Sequence, residues 1–166
     1  MKILVVSSKY QPEYSGSGLR AHNTYIRLKK KFELKFNVLS NSIIYQGNEL
    51  VNYDGVNVYR VSPPFKISKK KSYRRNILII LGLIWEIYFS WIYIKKNINK
   101  FDLLHTFGNT WTIGFLTWYF SKKNKPIIRE LCNDTNNPLY PIQFQKFMKP
   151  IFKKDNTLMI AISKKL

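Results

Sequence analysis

The chain opens on an apolar run, Met1-Lys-Ile-Leu-Val-Val-Ser7, of the kind that suits a strand buried on both faces of a parallel sheet. A signal peptide would need ~7–15 apolar residues and a small-residue cleavage site. Here a polar loop with Pro12 and Gly16 follows at once, so secretion is not expected. Leu19 to Phe32 carries Leu19, Tyr25, Ile26 and Leu28 and ends in Lys29-Lys30-Lys31, cations suited to the negative end of a helix. Lys35 to Leu39 predicts a short second strand, and Asn41 to Asp54 a loop or ragged hairpin. Asp54-Gly55 is a turn signal, and Val56 to Val61 alternates at period two as a further strand closed by Pro63-Pro64. Beyond a long apolar segment, Phe101 to Phe107 reads as a strand and Thr110 to Phe120 as an apolar helix. Lys125 to Leu131 is another strand, Tyr140 to Phe152 a helix and Thr157 to Ile162 a last strand.

Strands alternating with helices predict an α/β fold, a Rossmann-like parallel sheet with helices on both faces. The 166 residues fit one domain of the usual ~100–200 residues, without internal repeats. Ser163 to Leu166 has the look of a helix just beginning, so the chain is expected to be a piece of something longer.

The apolar segment, Ile77 to Ile94, reaches the lower limit of length for a bilayer span. Glu86 at its centre opposes insertion. Gly82, Glu86, Ser90, Tyr93 and Asn97 recur at helical spacing and form one narrow polar stripe. A buried helix packed on the sheet is the first reading; a helix lying in the plane of a membrane and a true span remain beside it. Lys66 to Arg75, with six basic residues in ten positions, precedes the segment. It is either a solvated loop or a contact with an anionic leaflet.

Composition narrows the classes. With 45% hydrophobic and 22% charged residues the chain is neither disordered nor fibrous. Cys132 is the single cysteine, which excludes an internal disulfide and suits a reducing compartment. It reads as a packed small residue. One cysteine and two distant histidines do not make a structural zinc site, and no metal is expected. The net charge of +19 would attract nucleic acid, anionic lipid or phosphorylated ligands. The chain is also heavy in Lys, Ile, Asn, Phe and Tyr, the set an AT-rich coding sequence produces, so compositional bias is the competing account. No recognition motif surrounds the basic run, and nucleic acid ranks below membrane as a partner.

Gly16-Ser17-Gly18-Leu19-Arg20-Ala21 fits a nominal dinucleotide fingerprint. Eight residues, Ser8 to Ser15, separate it from the strand, however, and Ser40-Asn41 stands where an acidic ribose ligand belongs. An oxidoreductase is therefore disfavoured. Small residues still let backbone N–H groups approach an anion, and Arg20 adds a charge. A plain loop feeding a helix cap is the alternative.

Taken in order, the opening Met1 to Ser8 with Pro12 and Gly16 to Gly18, then Asp54 to Val61, Phe101-Asp-Leu-Leu-His105 and Ala161-Ile-Ser163 resemble the landmarks of family-4 GT-B glycosyltransferases. The resemblance spans nearly the whole chain. It implies residues 1–166 as the N-terminal, acceptor-side half of such an enzyme. The donor-binding half, with its paired glutamates, has no counterpart here, so the fragment is expected to be inactive alone. It further implies a nucleotide-sugar donor, a glycan or lipid-linked acceptor as in polysaccharide biosynthesis, retention of configuration and no cofactor. The expected location is cytoplasmic, with peripheral attachment to the inner face of the plasma membrane left open. A non-catalytic, membrane-associated accessory domain is the alternative function.

Sugar transfer needs stabilisation of a departing diphosphate and orientation of an acceptor hydroxyl. Gly16, Ser17, Gly18 and Arg20 are the candidates for the first task, Arg20 being equally readable as a surface residue. His105, read as ending its strand at the carboxyl edge of the sheet, is a catalytic candidate or a structural histidine. In the resembling family a functional histidine often ends the following strand. Here that stretch reads Arg129-Glu-Leu-Cys-Asn-Asp134, which leaves Glu130 as the second catalytic candidate and Asn133 and Asp134 for acceptor binding. Asn133-Asp134 reads equally as a turn.

Overall fold

The computed structural model describes residues 1–42, 46–67, 71–108, 110–131 and 157–161. Its elements are β1 (Lys2–Ser7), α1 (Gly16–Phe32), β2 (Lys35–Asn41), β3 (Glu49–Tyr53), β4 (Val56–Val61), α2 (Tyr73–Asn97), β5 (Leu103–Phe107), α3 (Trp111–Lys122), β6 (Ile127–Leu131) and β7 (Thr157–Ala161). They form a seven-stranded sheet in the order β3-β4-β2-β1-β5-β6-β7. All pairings are parallel except β3 with β4. The fold is α/β and Rossmann-like. Within the stretch expected to be a loop or ragged hairpin, Glu49–Tyr53 is an edge strand paired antiparallel with β4, and Asp54 and Gly55 at the turn between them both take positive φ, 50° and 71°. That is the backbone twist a two-residue hairpin turn requires.

The opening run is continuous because β1 is central and covered on both faces. Ile3 and Val5 pack with Ala21 and Tyr25 of α1 on one side. Leu4 and Val6 pack with Ile94, Ile113, Leu116 and Phe120, under α2 and α3, on the other. Strand order reverses at β1, which sends β2 to one side and β5 to the other. In open α/β sheets that reversal leaves a crevice at the carboxyl edge, where ligands bind.

Three local expectations need correction. The glycines do not form a loop before the helix: α1 begins at Gly16, with Ser15 as its cap and the Ser15 side chain accepting from the Gly18 N–H. His105 does not end its strand, because Thr106 and Phe107 continue the pairing with β1 and β6. The helix over the apolar segment does pack on the sheet, with its polar stripe inward, but it is not a buried helix: only 17% of its most apolar window is covered. Gly82, Ser90 and Ile94 are its buried residues. Tyr93 stacks on Tyr59 at 4.4 Å, and Asn41 Nδ2 donates to Glu86 Oε2 at 2.8 Å. Gly82 lies against the segment after β4, where a Cβ would stand 3.5 Å from Ile67 and 3.7 Å from Pro63, ordinary packing distances. Ile94 also packs into the core, with Trp85 and Phe89 against it, whereas Ile77, Ile80, Leu81, Ile84 and Tyr88 face outward. The predicted helix Tyr140 to Phe152, the last residues from Ser163, and Cys132 lie outside the described residues.

Candidate functional site at the carboxyl edge

The connection from β1 to α1 crosses the carboxyl edge and is held from several sides. Tyr10 is buried, and its hydroxyl lies 3.0 Å from His22 Nδ1. Ser42 Oγ donates to Glu13 Oε2 at 2.7 Å, Lys9 Nζ lies 2.9 Å from Glu13 Oε1, and Arg60 Nη2 donates to the Gln11 carbonyl at 2.6 Å. This anchoring brings the segment against the helix. A Cβ on Gly18 would collide with the Lys9 carbonyl oxygen. A Cβ on Gly16 would meet nothing within 4 Å. Only the second glycine is demanded by close approach.

The same geometry changes what this turn offers an anion. The Gly18 N–H is already used by Ser15 Oγ at 2.9 Å. Gly16 and Ser17, as first-turn residues, have no carbonyl within the helix to donate to, so their N–H groups are the open positive end of α1. Ser17 Oγ sits 3.0 Å from Ser8 Oγ. Gly108, at φ 101°, follows β5 and passes Ser8 closely enough that a Cβ would lie 3.1 Å from its Oγ. The segments leaving β1 and β5 thus meet at the reversal of strand order.

On the α1 face of the sheet, four polar side chains form a chain. Tyr25 Oη is 2.7 Å from His105 Nδ1. His105 Nε2 is 3.8 Å from Glu130 Oε1, beyond hydrogen-bond range. Glu130 Oε2 is 3.4 Å from Arg20 Nε. Register explains the gathering: Phe107 pairs with Glu130 and His105 with Ile128, so alternate residues of β5 and β6 turn their side chains to α1. Burial lowers the pKa of His105 to about 4 and leaves it neutral near pH 7. Burial raises that of Glu130, an effect the Arg20 guanidinium opposes. Tyr25 is held as a phenol by burial and by the nearby Glu130. A proton on Nε2 faces the Glu130 carboxylate and is favoured by its charge, and in that tautomer the phenol donates to Nδ1.

Three of the sequence candidates, Arg20, His105 and Glu130, therefore converge with the Gly16–Gly18 turn at one edge. Arg20 is partnered by Glu130 there, so an incoming anion would share the guanidinium with that carboxylate. Asn133 and Asp134 lie outside the described residues. Tyr25 was not a sequence candidate, yet its position was informative. It lies seven residues after Gly18 and four after Ala21, on the buried face of α1, where a hydroxyl needs a partner.

A second polar group sits across the sheet at the same edge. Burial pushes the Glu86 carboxyl up to about 7, despite the Asn41 hydrogen bond. A depression of about 230 Å³ lined by Lys2, Lys35, Asn97 and Lys100 lies at the opposite, amino-terminal edge and takes no part in this site. Among the described residues no group of three His, Cys, Asp or Glu side chains is assembled to hold a metal ion. No family model and no curated protein matches this chain.

Proposed function

We propose that the chain is the acceptor-side domain of a nucleotide-sugar-dependent glycosyltransferase that acts on a glycan or a lipid-linked acceptor. The observation that carries this reading is the convergence of Arg20, Glu130 and His105 beside the open first turn of α1, where the strand order reverses. Glu130 combines a raised pKa with a position at the rim, which suits it to orient an acceptor hydroxyl and take its proton. The N–H groups of Gly16 and Ser17, with Arg20, suit the departing diphosphate. His105 is a positioning residue whose Nε2–H faces the Glu130 carboxylate. The nucleotide sugar itself would be held largely by a second domain of a longer protein.

The test is glycosyl transfer by the polypeptide expressed from the whole reading frame, with a panel of nucleotide sugars and polyprenyl-phosphate or oligosaccharide acceptors. Glu130→Gln is expected to lower kcat by about 10²-fold or more, the range for loss of a general base. Arg20→Gln is expected to weaken use of the donor. Absence of transfer and of nucleotide-sugar binding by the folded protein would refute the reading.

A further inference from the structure

We propose that the outward face of α2, together with the exposed cations Lys71 and Arg74 at its start, is a docking surface that lies flat in the headgroup region of an anionic membrane. The observation is an inverted helix. Glu86, Ser90 and Gly82 face the sheet, whereas Ile77, Ile80, Leu81, Ile84 and Tyr88 are 42% to 58% exposed. The most apolar 18-residue window of this helix has a mean hydropathy of 2.0, and only 17% of it is buried. Scattered exposed aliphatics are ordinary, but a contiguous apolar face of this kind marks an interaction site.

Charge identifies the occupant. Lys71 and Arg74 are exposed at the start of α2, Lys66 is exposed in the segment before it, and the first turn of the helix holds no acidic residue. Cations there oppose the positive end of the helix dipole. An anionic surface relieves that repulsion while the aliphatic side chains enter the acyl boundary, which is how interfacial helices bind. A second copy of this chain would bring a further +19 charge against the same face, which disfavours self-association. The Asn41–Glu86 hydrogen bond and the buried Ser90 and Ile94 hold the helix on the sheet, leaving one side of it for lipid rather than a full circumference. The inference is independent of what the Arg20–Glu130–His105 cluster binds.

The experiment is co-sedimentation of the full chain with vesicles of equal parts phosphatidylglycerol and phosphatidylcholine, and with phosphatidylcholine alone, across a salt series. Binding at least tenfold tighter to the anionic vesicles, weakened by salt, is expected. The double variant Ile80→Glu, Ile84→Glu should lose at least tenfold in affinity with an unchanged circular dichroism spectrum. Lys71→Gln with Arg74→Gln should remove the lipid preference. The proposal is overturned by a failure of the wild-type chain to bind anionic vesicles, by equal binding to both lipids, or by a dimer in solution that Ile80→Glu dissociates. Protease protection showing the two ends of α2 on opposite sides of the bilayer would overturn it in favour of a span. The wild-type lipid series requires no variant and decides the matter if the substitutions unfold the chain.

Discussion

The Tyr25 hydroxyl meets His105 Nδ1 at 2.7 Å across 80 residues of sequence, in a buried contact between α1 and β5. This bond couples the phenol to the tautomer of the imidazole that faces Glu130. At pH 7, nitrogen-15 chemical shifts should show neutral His105 protonated at Nε2. In Tyr25→Phe the buried Nδ1 loses its donor, and we expect about 1–3 kcal/mol of destabilisation, the cost of leaving such a group unpaired. The tautomer signal should shift toward Nδ1–H. An unchanged signal would mean that the phenol does not control the ring.

Acid stability follows from the same burial. The folded-state pKa of His105 is about 4, below the ordinary histidine value of 6.5. The unfolded chain therefore binds more protons between those limits. Stability from this group is complete above about pH 6.5 and is lost as pH falls toward 4. Replacing it by His105→Gln should flatten that limb of the urea-midpoint profile by roughly 1–3 kcal/mol. A wild-type limb that survives the substitution would place the effect elsewhere.

Glu86 contributes with the opposite sign. Its folded pKa, about 7, exceeds the ordinary carboxylate value of 4.5, so the folded state holds the extra proton and stability declines as pH rises through that interval. Glu86→Gln keeps an acceptor for Asn41 and removes the charge. The variant should be more stable than wild type by roughly 1–3 kcal/mol at pH 8 and close to it at pH 4.5. Thermal unfolding at the two pH values measures the difference. Because Glu86 and His105 act oppositely between about pH 4.5 and 6.5, the wild-type profile should be shallow there and each variant should expose the other's slope.

The two glycines of the first turn should behave unlike each other. Gly18→Ala places a methyl group against the Lys9 carbonyl, where only backbone movement can make room, and should cost about 1–3 kcal/mol. Gly16→Ala enters open space in a helical turn and should be neutral or stabilising by up to about 1 kcal/mol. Denaturant midpoints for the pair decide whether the spacing of the glycines reflects helix–loop packing. Equal effects would contradict the geometry.

The sheet was legible because its signals are local. An unbroken apolar run marks a strand covered on both faces, an Asp-Gly pair marks a hairpin turn, and lysines mark the end of α1. The candidate site was legible only in part. Arg20, His105 and Glu130 stood out as polar residues near strand or helix ends, His105 two residues short of one, but their meeting depends on the register of β5 with β6 and on how α1 lies over both. Tyr25 was hidden because an aromatic residue on a helix reads as core, and only its distance to His105 reveals the hydroxyl's use.

For α2 the periodicity identified the face of Gly82, Glu86, Ser90, Tyr93 and Asn97, and the side of the helix that would meet the sheet was a matter for the folded chain. Hydropathy alone sends a polar stripe to solvent. Here the carboxyl end of β2 supplies Asn41 to Glu86, and the segment after β4 packs on Gly82, so the polar face is satisfied inside. Residue spacing, a property of the chain, defined which side chains lie together on the helix; partners contributed from distant strands decided which way they turn.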